Sequence, residues 1–248
     1  MTFIYNTPIN LNIPHIALRS NPTTATPVGA PSKDLFSTNP MYEKFGTKAD
    51  IEMSAKSNPR IKELLGEYHL PIKVNTEELE SLKQGHLKDT RIIAAKIYSA
   101  LPQELKNEVN LSEIQEAAML HDYGKVLIPS SILNKAGKLT DNEREIMQLH
   151  SEIGYELLKD KGLEENTLNL IKYHHQTPDG NGYPSVVENY THGIDSQILN
   201  VADKYAALRE KRSYKEALSK EEALNIIKQD VDNGLISEEI FNALSKIA

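Results

Sequence analysis

An all-helical domain behind a short extension with little regular structure is the fold this chain predicts, and three observations carry the prediction. Beyond Pro71, apolar residues recur at helical spacing in one segment after another. Several of those segments open on a Ser or Thr followed three places later by Glu or Gln, the capping box that satisfies backbone N–H groups at a helix start. No alternating run is long enough to build a sheet, since Val126 to Ile128 is short and ends at Pro129.

Six of the twelve prolines (Pro8, Pro14, Pro22, Pro27, Pro31, Pro40) fall in the first 40 residues, among Asn and Thr and with few charges, so that stretch reads as extended and largely unstructured. From Lys44 to about Leu70 the pattern is mixed. Pro59 suits the first position of a helix, Ile61, Leu64 and Leu65 follow at helical spacing, and Pro71 interrupts, which predicts one short helix in a linker or docking arm. The next helix has Asn75 as its N-cap with Glu78 at the third helical position. Capping boxes then mark three more starts, at Ser112 with Gln115, Thr140 with Glu143, and Ser219 with Glu222. The expected division is a proline-rich extension over 1–75, with a short helix near its end, and a functional domain over 76–248.

Composition narrows the function. The 248 residues are 39% hydrophobic and 25% charged, an ordinary globular balance, and a net charge of -7 speaks against a surface that grips double-stranded DNA. No apolar run approaches a membrane span, and Met1 to Leu18 lacks both the basic start and the long apolar centre of an export signal, so a cytoplasmic protein is expected. With no cysteine, thiolate nucleophiles and thiolate metal sites are excluded, leaving histidine and carboxylate as metal donors. The pairs Gly124-Lys125 and Gly137-Lys138 are followed by Val and Leu, which excludes a P-loop.

The histidines stand where a core should be. His121 continues the series Ile114, Ala117, Ala118; His150 is in step with Ile146, Ile153 and Leu157; His86 extends backwards from Ile93 and Ile97. One such histidine alone is as well explained by a hydrogen bond in the core. Together with Asp122, and with Asp203 beside Leu199 and Ala206, they form a set of inward polar groups that need partners, and a shared metal centre satisfies all of them at once. His192, next to Gly193 in a polar stretch, reads as a plain loop residue. Imidazole and carboxylate donors suit iron or manganese, and two ions about 3.5 to 4 Å apart suit phosphoester hydrolysis.

The stretch His121-Asp122-Tyr123-Gly124-Lys125 resembles the HDxGK motif of the HD phosphohydrolase superfamily. It is followed by Ile128 to Leu133, His150-Ser151-Glu152-Ile153-Gly154, His174-His175-Gln176, the segment Asp179 to Pro184, and Val201-Ala202-Asp203, an order similar to that of the HD-GYP subfamily of cyclic di-GMP phosphodiesterases. The resemblance implies an HD-domain helical bundle whose metal ligands are His86, His121, Asp122, His150, His174, His175 and Asp203, with Asp122 bridging two divalent ions, iron or manganese. It implies a reaction that opens cyclic di-GMP to the linear dinucleotide pGpG, with further cleavage to GMP left open. Asp122 and Lys125 carry the catalysis in that picture, Lys125 as a stabiliser of transition-state charge, although a lysine there could also serve a helix C-terminus. Gly182, Tyr183 and Pro184 line the substrate groove, with Tyr183 as a base-stacking or phosphate contact, while plain loop closure also accounts for the glycines. Arg212 and Lys215 match a basic pair suited to phosphate oxygens, or else belong to a solvated charge run.

Three departures from that pattern qualify the expectation. Gln176 stands where the family usually has Glu, Ala206 where it has a second Asp, and Leu82 where some members carry a glutamate that recruits a third metal. Two ions are therefore expected, with part of the surrounding hydrogen-bonding shell missing and turnover reduced. Another cyclic dinucleotide or nucleotide as substrate, or a catalytically weak signalling scaffold, are the alternatives. Residues 1–75 are too short for a receiver domain, and a protein partner is the role left for them.

Overall fold

The computed structural model describes residues 46–82, 85–186, 190–210 and 217–248. Among them every regular element is helical: α1 (Lys48–Ser57), α2 (Pro59–Glu67), α3 (Thr76–Ser81), α4 (His86–Ala100), α5 (Gln103–Lys106), α6 (Leu111–Leu120), a 3₁₀ turn (Tyr123–Leu127), α7 (Ser130–Leu133), α8 (Asp141–Leu158), α9 (Glu165–Tyr173), α10 (Ile194–Arg209), α11 (Lys220–Asp232) and α12 (Glu238–Ile247). One antiparallel bridge, between His175 and Tyr183, is the remaining ladder contact. The extended reading of the first 40 residues lies outside the described residues.

Capping chemistry explains most of the boundaries. Thr140 and Ser219 each form the complete box with Glu143 and Glu222, and Asn75 caps α3 through the Glu78 N–H. The expected Ser112 cap is corrected: Asn110 occupies the cap, its side chain accepts from the Ser112 N–H, and Ser112 is inside the helix. Asparagine two residues earlier reaches the same orphan donors, so the signal was read one turn position late.

Between Lys44 and Leu70 the chain forms two helices rather than one. Thr47 and Asp50 build a capping box for α1, and Asn58 caps α2 with Pro59 at its first position. Ile51, Ala55, Ile61, Leu64 and Leu65 are buried in the same cluster as the residues of 76–248. Arg60 donates to Glu152 at 2.9 Å and Asn58 Nδ2 to Glu156 Oε2 at 2.7 Å, so this segment is docked on α8 and is not a free linker.

At the centre α4 packs on α6 and α10, α9 lies on α6 and α8, and the 3₁₀ turn lies along α8. The turn replaces any strand at Val126 to Ile128, and Val126 O accepts from Asn75 N at 2.8 Å, tying it to the start of α3. Gly124 decides how close the turn comes to α8. A Cβ there would stand 1.9 Å from His150 O and 2.5 Å from Gly154 N, so only glycine lets the turn that carries Asp122 and Lys125 rest on the helix that carries His150.

Candidate metal centre

Four helix ends and two helix interiors deliver the inward polar groups. His86 opens α4, His121 caps the C-terminus of α6, Asp122 begins the 3₁₀ turn, His150 lies inside α8, His174 and His175 follow α9, and Asp203 projects from α10. They form three overlapping groups whose ligand atoms lie within 4.8 Å of one another: His86, His121 and Asp203; His150, His174 and His175; and His121, Asp122 and His174. Asp122 Oδ1 is 3.5 Å from His150 Nε2 and 4.0 Å from His174 Nε2, while its Oδ2 is 3.6 Å from His121 Nε2. His121 Nε2 also faces Asp203 Oδ1 at 3.5 Å, and His86 Nε2 is 2.8 Å from the same oxygen.

Helix geometry sets three of the imidazoles in one tautomer. His121, His150 and His174 each place Nδ1 2.7 to 3.0 Å from the carbonyl three residues earlier, on Ala118, Met147 and Ile171. A carbonyl only accepts, so Nδ1 carries the hydrogen and a neutral ring turns its Nε2 lone pair inward. Burial pushes His150 down to about 4 and His174 well below the usual histidine range, so both rings are neutral at pH 7. Their lone pairs then face each other at 3.2 Å with no proton between them, an arrangement that a cation relieves. The buried His121 Nε2 has no hydrogen-bond partner either. The residues fit a metal centre.

Charge balance points the same way. Burial pushes Asp122 up, but Lys125 first, then His121 and His150, outweigh it and hold the carboxyl well below its ordinary value. For Asp203 burial is likewise overcome, by His121 and His86, whose rings face its carboxylate at 3.5 and 2.8 Å. Burial also disfavours charge on His121, yet Asp122 and Asp203 outweigh it and raise its pKa. Lys125 is buried and donates to Asp122 Oδ2 at 2.6 Å, which ties the lysine to the centre of the cluster.

The segment after the paired histidines folds back over them. Tyr183 N donates to His175 O at 3.3 Å, and the Tyr183 ring lies 4.5 Å from the His175 ring at 30°. Burial, then Asp122 and Asp203, keep the Tyr183 phenol protonated. Gly182 is set by sterics, because a Cβ would meet His175 O at 2.1 Å, and Pro184 offers its carbonyl to Gln176 Nε2 at 2.6 Å. Of the expected substrate contacts, Lys125 and Tyr183 reach the cluster, Gly182 and Pro184 shape the loop, and Arg212 and Lys215 lie outside the described residues. Ala206 is buried. Leu82 is in the core, not at the cluster.

Three residues escaped the sequence reading. Glu78 was read only as a capping partner, yet its carboxyl is 3% exposed and is pushed to about 7 by burial, with Lys125 opposing and Asp122 reinforcing the shift. Asn200 donates to Gln176 O at 3.0 Å and to His192 Nε2 at 3.2 Å, which gives His192 a partner in place of its plain loop role. Glu210 has Oε2 3.9 Å from His86 Nδ1. Only Asn200, one turn before Asp203, had a visible signal, and spacing alone does not tell its face from a neutral one.

The family model described as HD domain matches residues 73–239. Over 121 residues the chain is 40% identical to the cyclic di-GMP phosphodiesterase response regulator RpfG of Xanthomonas campestris pv. campestris, a match that covers 48% of this chain and 32% of that protein. It is 41% identical over 111 residues to 3'3'-cGAMP-specific phosphodiesterase 2 of Vibrio cholerae, covering 44% of this chain and 21% of the relative. The chain thus spans about a third or less of the length of these curated relatives. In fold it is similar to Bd1817, an HDG"Y"P protein from Bdellovibrio bacteriovorus, with a TM-score of 0.50 and 18% identity over 87% of this chain and 67% of the other. Among the described residues no helix is long and apolar enough to cross a membrane. With the motif order from His121 to Asp203 assembled around one cluster and the family model spanning most of the chain, this protein belongs to the HD domain family.

Proposed function

We propose that the chain is a metal-dependent phosphodiesterase that opens cyclic di-GMP to the linear dinucleotide. The observation that carries this reading is the convergence of two ligand triads on Asp122, with the lone pairs of His150 and His174 facing each other. His86, His121 and Asp203 would hold one divalent ion and His150, His174 and His175 a second, with Asp122 as the carboxylate common to both. Nitrogen and carboxylate donors without sulfur suit iron or manganese. When bound, the ions supply Lewis acidity toward phosphate oxygens and a nucleophile at neutral pH.

The chain's own residues do the rest. Asp122 stays ionised in the desolvated centre because Lys125, and after it His121, balance it. Lys125 offers a fixed ammonium to the phosphate as negative charge develops on it. The protonated Tyr183 phenol donates to a phosphate oxygen or stacks its ring on a base, and Gly182 and Pro184 hold it there. Arg212 and Lys215, outside the described residues, are the basic pair that the sequence offers to phosphate oxygens. The name of the Vibrio cholerae relative favours one other substrate, 3'3'-cGAMP, which has the same phosphodiester chemistry.

The test is anaerobic reconstitution with iron or manganese, elemental analysis, and product analysis on cyclic di-GMP, 3'3'-cGAMP and cyclic di-AMP. About two equivalents of metal per chain and a linear product from cyclic di-GMP are expected. A chain that retains no metal, or that leaves every cyclic dinucleotide intact, overturns the proposal.

A further inference from the structure

We infer that Asn200 is a positioning residue for this site, and that it works through Gln176 to hold the Tyr183 loop over the paired histidines. The inference rests on the phosphodiesterase reading for its kinetic part and on geometry for the rest. Asn200 lies on α10 one turn before Asp203, so it is fixed by the same helix that supplies a metal ligand. Its Nδ2 donates to Gln176 O at 3.0 Å and to His192 Nε2 at 3.2 Å. The Gln176 carbonyl can only accept, so the amide is oriented with its nitrogen toward the histidine segment, and His192 Nε2 then accepts as well. Gln176 is fully buried, its Oε1 accepts from Thr177 N at 3.2 Å, and its Nε2 donates to Pro184 O at 2.6 Å.

These bonds form one chain, from α10 through the Gln176 backbone and side chain to Pro184, the residue after Tyr183. A glutamate at 176 would present a carboxylate to the Pro184 carbonyl and repel it, whereas glutamine closes the tie. Glutamine at 176 is therefore a built contact to Pro184, not merely a lost acid or base, and Asn200 fixes the main chain from which it reaches. Because the Tyr183 ring is seated on His175, the tie decides where the phenol stands relative to Asp122 and Asp203, without any contact between Asn200 and the ligands' donor atoms.

The experiment uses the full chain loaded with metal and compares wild type, Asn200→Ala, Gln176→Glu and the double variant. Hydrogen exchange over residues 176–184 is expected to quicken about tenfold in each variant, while exchange in α4, α6 and α8 is unchanged. KM for cyclic di-GMP is expected to rise about fivefold to tenfold, with kcat within threefold and metal content equal to wild type, the scale on which one buried hydrogen bond acts on binding. The double variant is expected to be no worse than the poorer single one, because both break the same tie. Unchanged exchange in 176–184 overturns the inference, whatever the activity. A proportional loss of melting temperature and kcat with KM unchanged also overturns it, since that is what a purely structural residue gives. Wild type that hydrolyses no cyclic dinucleotide sinks the proposed function instead, and the exchange comparison then decides the tie alone.

Discussion

His150 and His174 show how much one hydrogen bond does to a side chain's chemistry. Each ring gives its Nδ1 hydrogen to a carbonyl one turn back, which leaves the other nitrogen as a ready donor pair pointing at the centre. In the proposed centre Asp122 is the carboxylate common to both donor sets, so Asp122→Ala should abolish metal retention and activity together, as read by elemental analysis and turnover. Lys125→Ala removes one charge contact and should lower kcat by about 100-fold to 1000-fold with both metals still bound. Glu78 gives a pH signature. Burial raises its folded pKa to about 7 from an unfolded 4.5, so its contribution to stability is full below pH 4.5 and is lost as pH rises to about 7. In metal-free protein, Glu78→Gln should therefore gain about 3 kcal/mol relative to wild type between pH 4 and pH 8. Urea melts at the two pH values check this, and a pH-independent difference would refute it. His86, His121 and His150 were legible because they interrupt apolar stripes, whereas Glu78 was not, because a glutamate at the third position of a helix is already explained by capping.

Where two elements cross, backbone approach is decisive. The 3₁₀ turn and α8 touch at Gly124 and Gly154 with no side chain between them, which brings Asp122 within 3.5 Å of His150. Gly124→Ala should push the turn off α8, lower stability by about 1 to 3 kcal/mol and reduce metal content, measured by thermal melting and elemental analysis. Gly154→Ala meets Gly124 N at a looser 3.2 Å and should cost less. In the sequence both glycines look like ordinary motif letters, and only the crossing gives them a reason. Helix starts were legible at Thr140 and Ser219, where the box is complete. The start of α6 was not, because Asn110 and Ser112 are both good caps and local sequence does not choose between them.

On the scale of the whole molecule, the segment before residue 76 splits into parts with different consequences. Leu65 is 1% exposed, on a helix docked against α8, so Leu65→Ala should destabilise the protein by about 2 to 5 kcal/mol in denaturant melts and weaken metal binding through α8. Removing residues 1–40, which lack apolar periodicity, should leave the melting temperature and turnover nearly unchanged. A large loss on that truncation would show that those residues dock as α2 does.

The sequence by itself determined the helical class and singled out His86, His121 and His150 as inward polar groups, because periodicity and capping are local and because an unpartnered polar group in an apolar stripe is costly anywhere in a fold. Tertiary structure alone decided which of those groups share an oxygen, that α1 and α2 join the core, and that Gln176 ties a loop to α10. Each of these depends on residues far apart in the chain meeting within a few ångströms, as Asn200 does with Gln176. Spacing along one segment carries no information about the partner that a different segment brings.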